Sequence, residues 1–174
     1  MPTHLNLRYQ EIEHLWPGIE QVQRLADQYN IPDIFQDAGG KMLQLAVACG
    51  LDIIPGRTGP DARDRVGNLY EIKTVDLTGN PRGFTTNHHL TDKTILRYRT
   101  RRWVFAMYDR ITLMEAYLVE AVDLEPVFQN WEQTLKSKDH INNPKIPIDY
   151  VRSVGTTMYL KDVPPPWATM RECA

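Results

Sequence analysis

Between residues 5 and 30, apolar Leu5, Leu7, Tyr9 and Ile12 precede Pro17, and Ile19, Val22, Leu25 and Ala26 follow it with a spacing near 3.6. The pattern predicts two helices broken at Pro17, the second opening at Trp16-Pro17, where a first helical turn tolerates proline. Lys41 to Cys49 is apolar nearly all round and stops at Gly50, which predicts a helix buried against a sheet. Leu51 to Pro55 reads as a short strand, Gly56 to Gly59 as a turn, and Asn68 to Val75 as a strand that alternates residue by residue. After a break at Thr78-Gly79-Asn80-Pro81, Thr91 to Tyr98 predicts a helix with Ile95 and Leu96 inward. Trp103 to Met107 and Ile111 to Val119 make a hairpin across Tyr108-Asp109-Arg110. Asp123 opens a helix with Pro126 in its first turn and a core stripe of Val127, Phe128, Trp131 and Leu135. Lys136 to Pro147 is polar; Thr156 to Leu160 is a last strand before Pro164-Pro165-Pro166 and an unstructured tail. The expectation is a single α+β domain over residues 1–174, a central mixed sheet flanked by helices. Its parts are a helical segment at 5–30, a core at 36–160 and a tail at 161–174.

With 174 residues, the chain can bury a core without disulfides or structural metal. Cys49 and Cys173 do not make a secretory framework, and no apolar run approaches the roughly 20 residues that span a bilayer. A soluble, reducing, cytoplasmic setting without a leader or membrane contact is expected. A net charge of −2 argues against coating nucleic acid by charge alone. The distribution changes that picture. Arg82, Lys93, Arg97, Arg99, Arg101 and Arg102 face a single acid, Asp92, across the same stretch, which also holds His88 and His89. This reads either as a phosphate grip or as a solvated helix end with a basic bias.

The candidate chemistry lies in Pro60-Asp61 and Glu71-Ile72-Lys73. Side chains alternate along a strand, so Glu71 and Lys73 share one face and Ile72 takes the other. Asp61, arriving from the preceding loop or strand, can close on that face. Two carboxylates and an ammonium around one point suit phosphodiester hydrolysis, because Mg²⁺ is commonly held by one or two carboxylates plus substrate phosphate. Such an ion would polarise the phosphate and acidify a water. Lys73 could orient that water, help deprotonate it, or offset charge on the phosphorane. The same spacing also fits an ordinary solvated strand face.

The strings around this set carry a resemblance. They are Ile34-Phe35-Gln36-Asp37 with Gly39-Gly40-Lys41, Pro55-Gly56-Arg57, Asp61, and Tyr70-Glu71-Ile72-Lys73. Gly83-Phe84-Thr85-Thr86-Asn87-His88-His89 and Ile141-Asn142-Asn143-Pro144-Lys145-Ile146-Pro147 follow in the same order. From about Leu15 to Leu160 the chain resembles the PvuII-type type II restriction endonucleases. The resemblance implies the PD-(D/E)xK nuclease fold, an N-terminal helical dimerisation segment, a homodimer, Mg²⁺, and a blunt cut at CAGCTG in double-stranded DNA. It implies Asp61 and Glu71 as metal ligands with the Ile72 carbonyl, and Lys73 as the catalytic lysine. It also implies His88 and His89 at the DNA face, and Asn142 and Asn143 as the base-reading pair. Thr85 stands where the family has serine, and Asn87 where it has the first of three histidines. Asp37 matches an acid near the minor groove and Tyr98 a tyrosine near the scissile phosphate. A cognate DNA methyltransferase would belong to the same system without direct contact.

The residue chemistry is consistent with this. An asparagine amide offers a donor and an acceptor to adenine N6 and N7, and a histidine can donate to guanine. Asn142-Asn143 before Pro144 also fits a plain turn. Two other readings share the Asp61, Glu71 and Lys73 set: a structure-selective nuclease of repair or recombination, and a non-catalytic DNA-binding protein of this fold.

Overall fold

Alternation along Leu69–Asp76 puts Tyr70 and Ile72 on one side of a strand and Glu71 and Lys73 on the other. The computed structural model describes the backbone of residues 4–56 and 59–163, and the side chains within 10–56 and 59–163. The tail and Arg57 lie outside the described residues. In chain order the elements are α1 (His4–Asp27), α2 (Gly39–Cys49), β1 (Asp52–Ile53), β2 (Ala62–Arg63), β3 (Leu69–Asp76) and β4 (Gly83–Thr85). There follow α3 (Asp92–Tyr98), β5 (Arg102–Asp109), β6 (Thr112–Val119), α4 (Glu125–Leu135), β7 (Lys145–Pro147), α5 (Ile148–Val154) and β8 (Thr156–Leu160).

The fold is α+β, with a mixed six-stranded sheet in the order β1-β2-β3-β5-β6-β8. Only β3 and β5 pair in parallel within it, Glu71 opposite Trp103 and Lys73 opposite Phe105. Strand alternation then sorts the core onto two faces. Tyr70 and Ile72 join Val104, Ala106, Tyr108 and Leu45 of α2; Trp103, Phe105 and Met107 join Phe84, Tyr98 and Phe128. Glu71 and Lys73 therefore emerge on the aromatic face, at the parallel seam.

A second, two-stranded sheet is absent from the sequence expectation. β4 pairs antiparallel with β7, Phe84 opposite Ile146 and Thr85 opposite Lys145. The pairing runs on past the strands. Thr86 N–H donates to the Pro144 carbonyl (3.1 Å), Asn143 N–H to the Asn87 carbonyl (3.0 Å), and Leu90 and Ile141 exchange two bonds (2.9 and 3.0 Å). One two-chain ribbon thus joins segments read as a loop and a polar stretch.

Other expectations are corrected. Residues 4–27 form one helix that passes through Pro17, so there is no helical pair. Proline removes a single intrahelical bond, and on this exposed helix the freed carbonyl can turn to water. Leu96 is 60% exposed, and Ile95 and Tyr98 are the inward residues of α3, three apart on one face. Val47 of α2 is 42% exposed, so that helix is not buried all round. The α4 helix begins at Glu125, after a 3₁₀ turn over Ala121–Leu124, and Asp123 does not cap it. The strand expected over Leu51–Pro55 shrinks to Asp52–Ile53.

Gly83 is where the ribbon closes most tightly: a Cβ there would stand 2.5 Å from the Ile146 carbonyl oxygen. Backbone cannot yield as a flexible side chain does. Gly83→Ala is expected to cost about 1–3 kcal/mol in urea unfolding, the usual range for overpacking. Wild-type stability in that variant would mean the ribbon is not packed this closely.

Candidate functional site

Asp61 sits in the bend just before β2, where its N–H donates to the Tyr70 carbonyl (2.8 Å). Its Oδ2 accepts the Ile72 N–H at 2.7 Å, which holds the carboxylate against β3. Glu71 is buried at 6% exposure, with Lys73 Nζ on one oxygen (2.8 Å) and Arg101 Nη1 on the other (2.5 Å). Arg101 also donates to the Gly59 carbonyl (2.7 Å), and it too is buried. Two acids and two cations therefore meet at the seam of β3 and β5. Arg101 was read from sequence only as part of a basic run. Nothing in linear spacing links it to Glu71, thirty residues earlier.

The charges of this cluster act on one another. Burial raises the Asp61 carboxyl above its ordinary range, and the neighbouring Glu71 adds to that; the Ile72 amide, Lys73 and Arg101 pull the other way without winning. For Lys73, burial is the largest influence and favours the neutral amine. The Glu71 carboxylate, with help from Tyr98 and Asp61, more than reverses it, and the ammonium is held above its usual range. Without a metal ion, Lys73 is thus held in its charged form.

A cleft of about 560 Å³ opens onto the set, lined by Asp61, Ile72, Lys73, Asp37 and Thr85 among others. Asp37 is exposed in the left-handed region at φ 45°, before α2. His88, His89, Asn142 and Asn143 are all exposed and carried by the ribbon. The Asn87 side chain is turned inward on its own loop, accepting the His89 N–H (2.9 Å). Tyr98 is buried, edge-on to Trp103 at 4.6 Å, and its hydroxyl donates to the Thr86 carbonyl (3.2 Å). Burial raises that phenol and Glu71 adds to it, while the Lys73 charge draws it down in part. Tyr98 thus connects the acidic set to the ribbon. His140, unremarked in the sequence, stands edge-on to His89 at 4.8 Å.

Half of the basic stretch is already paired with acids of this chain. Arg99 binds Glu125 and Glu132, Arg102 binds Glu120, and Arg101 binds Glu71. Arg82, Lys93 and Arg97 remain exposed. The phosphate-grip reading is accordingly reduced to these three residues.

As a donor set for a cation, the site offers two carboxylates and the Ile72 carbonyl, all hard oxygen. Among the described residues there is no group of three or more His, Cys, Asp or Glu placed to hold a metal. Two carboxylates still suit an ion that completes its shell with water and phosphate, so the residues fit a divalent ion of the Mg²⁺ type.

A protein-family model described as restriction endonuclease PvuII matches residues 7–159. The chain belongs to that family, and it is a nuclease of the restriction-endonuclease kind, whose members bind double-stranded DNA and generally use divalent metal ions. No helix among the described residues is long and apolar enough to cross a membrane.

The raised Asp61 carboxyl has a consequence with a definite sign. A carboxylate whose folded pKa exceeds its unfolded value costs stability once it ionises, and the cost vanishes below the unfolded pKa of about 3.9. Asp61→Asn keeps an acceptor for the Ile72 amide and removes the charge. In EDTA it is expected to melt above wild type at pH 7, the gap closing as pH falls toward 4; in a separate assay with Mg²⁺, its DNA cleavage should be at least about 10²-fold below wild type. Equal melting temperatures across that range would show that the Asp61 charge is not strained.

Proposed function

We propose that the chain is one subunit of a homodimeric type II restriction endonuclease that cuts CAGCTG in double-stranded DNA with Mg²⁺ and leaves blunt ends. The observation that carries this is the convergence of Asp61, Glu71 and Lys73 beside a ribbon that presents His88, His89, Asn142 and Asn143. A structure-selective nuclease needs the first group and has no use for the second.

In this reading Asp61 and Glu71 hold the ion, with the Ile72 carbonyl as a further ligand. When bound, the ion supplies Lewis-acid polarisation of the scissile phosphate and acidification of the attacking water. Lys73, kept protonated by Glu71, donates to that water or to the phosphate oxygens and offsets their charge as phosphorus becomes five-coordinate. Asn142 and Asn143 read adenine in the major groove, and His88 donates to guanine, with His89 nearer the backbone. Asp37 and Thr85 face the DNA from the cleft wall, Asn87 shapes the histidine loop, and Tyr98, its hydroxyl held on the Thr86 carbonyl, packs beneath the place where the scissile phosphate would lie. A cognate methyltransferase protects the host's own sites without touching this chain.

The dimer contact falls to α1. Ile12, Leu15, Trp16, Val22 and Leu25 are each 42–61% exposed, and Trp16 stacks on the exposed Phe35 at 6.3 Å between ring centres. Five large apolar side chains along one helix are more than a solvated surface needs. A two-fold dimer built on them would let each chain read one half of a palindrome.

Plasmid digestion with Mg²⁺ should give discrete fragments, and sequencing their ends should return CAGCTG cut flush at its centre. Branch-dependent nicking would favour the structure-selective reading instead. Lys73→Ala should cut at least about 10²-fold more slowly while Ca²⁺-supported binding of the site persists, because the lysine acts on chemistry more than grip. A Lys73→Ala protein that cuts at the normal rate would sink the mechanism. Leu15→Asp should shift sedimentation equilibrium from dimer to monomer; an unchanged dimer would place the contact elsewhere.

A further inference from the structure

Arg101 has no part in cutting or reading as described so far, yet it is the most committed cation in the site. Its side chain is buried, immediately before β5, and Nη1 donates both to Glu71 Oε2 (2.5 Å) and to the Gly59 carbonyl (2.7 Å). It shares the parity of Trp103, which stands opposite Glu71, so the ion pair is a diagonal contact across the parallel seam. Its neighbours turn elsewhere, Arg99 to Glu125 and Glu132 and Arg102 to Glu120. Of the three, Arg101 alone pairs with a carboxylate of the candidate site, Glu71. Glu71 is left with a cation on each oxygen, whereas the Asp61 carboxylate receives the Ile72 amide.

A buried carboxylate needs partners, and here both its oxygens already have them. A divalent ion bound by Glu71 must share those same two oxygens, and it would stand close to a fixed guanidinium charge of like sign. At such separations, with little water between, the repulsion is large enough to shift affinity by an order of magnitude. We propose that Arg101 is a positioning residue acting as an internal counter-cation: it occupies Glu71 Oε2 in the metal-free protein and is displaced from it when the divalent ion binds. Resting on the assignment of Asp61 and Glu71 as ligands, this adds a competitor built into the fold. It keeps the buried acid paired and the Gly59-Pro60-Asp61 loop tied to the sheet before the ion arrives. It also makes the ion bind weakly to the DNA-free enzyme, so that phosphate oxygens from DNA are needed to complete a stable site.

The test is calorimetric titration of Ca²⁺ into DNA-free protein, which reads metal affinity without turnover. Arg101→Gln removes the charge and keeps a donor for the Gly59 carbonyl; it should bind Ca²⁺ at least about tenfold more tightly than wild type. Arg101→Lys should restore affinity to within about threefold of wild type, and Arg102→Gln, which removes the same charge one residue away, should leave it unchanged. A residue that merely supports the ligands would give weaker binding in Arg101→Gln, and unchanged or weaker binding overturns the proposal. If that variant does not fold, the wild-type protein still decides. The side-chain Nε–Hε resonance of Arg101 should move on saturation with Ca²⁺, and a resonance that stays in place overturns the proposal. Failure of wild type and Arg101→Gln alike to bind Ca²⁺ would overturn the ligand assignment itself. Binding by wild type with no gain in the variant would overturn the counter-cation alone.

Discussion

Everything at the candidate site depends on the parallel pairing of β3 with β5. Parallel strands stand in the same register direction, so residues of like parity on the two strands project from one face at neighbouring heights. That places Glu71 and Lys73 over Trp103 and Phe105, and it brings Arg101 up to the Glu71 carboxylate. The opposite face carries Tyr70, Ile72, Val104, Ala106 and Tyr108 against α2. A slip of one residue would exchange these sets, sending a carboxylate and an ammonium into the apolar layer. Core packing and site geometry are therefore one constraint. The apolar residues that make the sheet stable are also what hold the polar ones in place.

The acidic set and the ribbon are joined by backbone pairing and one tyrosine. The β4–β7 ribbon is anchored in the same aromatic cluster by Phe84 and Ile146, both fully buried. Beyond that anchor its main-chain bonds reach from Thr86 to Ile141, so Asn87 and Asn143 are tied together at the level where the exposed side chains begin. Tyr98 packs its ring on Trp103 beneath the site and gives its hydroxyl to Thr86 at the base of the ribbon. A displacement of the ribbon would consequently be felt at Trp103, which lies directly opposite Glu71. The exposed polar side chains of the ribbon are thus fixed by buried apolar ones.

How much of this was legible depended on whether the physical signal was local. Glu71 and Lys73 could be paired from alternation alone, because the strand that carries them imposes its own period. The helix at 39–49, the hairpin after Trp103 and the strand at 156–160 announced themselves through runs long enough to show a period. Strands β4 and β7, at three residues each and bounded by Gly83 and Pro147, are too short for any period to appear; they exist because each is the other's partner. The seven-residue α5 was not foreseen either. Pro17 misled in the other direction, since a strong local breaker was overridden in an exposed helix that loses only one bond to it. Resemblance supplied the names of Asn142, Asn143, His88 and His89, but not the ribbon that brings them together.

Charge shows most clearly what composition hides. A stretch with six basic residues looks like a phosphate grip, yet half of them are consumed by Glu71, Glu120, Glu125 and Glu132. Arg99 and Arg102 are spent at the surface, where ion pairs contribute little to stability. Arg101 is spent in the interior, where an unpartnered carboxylate would be costly. The difference is one of depth, and depth is set by register rather than by residue type. A cation beside a solvated acid can be traded away cheaply, whereas one that shares a buried acid with an incoming ion becomes part of how that ion binds. The same residue type, three times within four positions, therefore does unlike things because the strand that follows carries only one of them to the acidic centre.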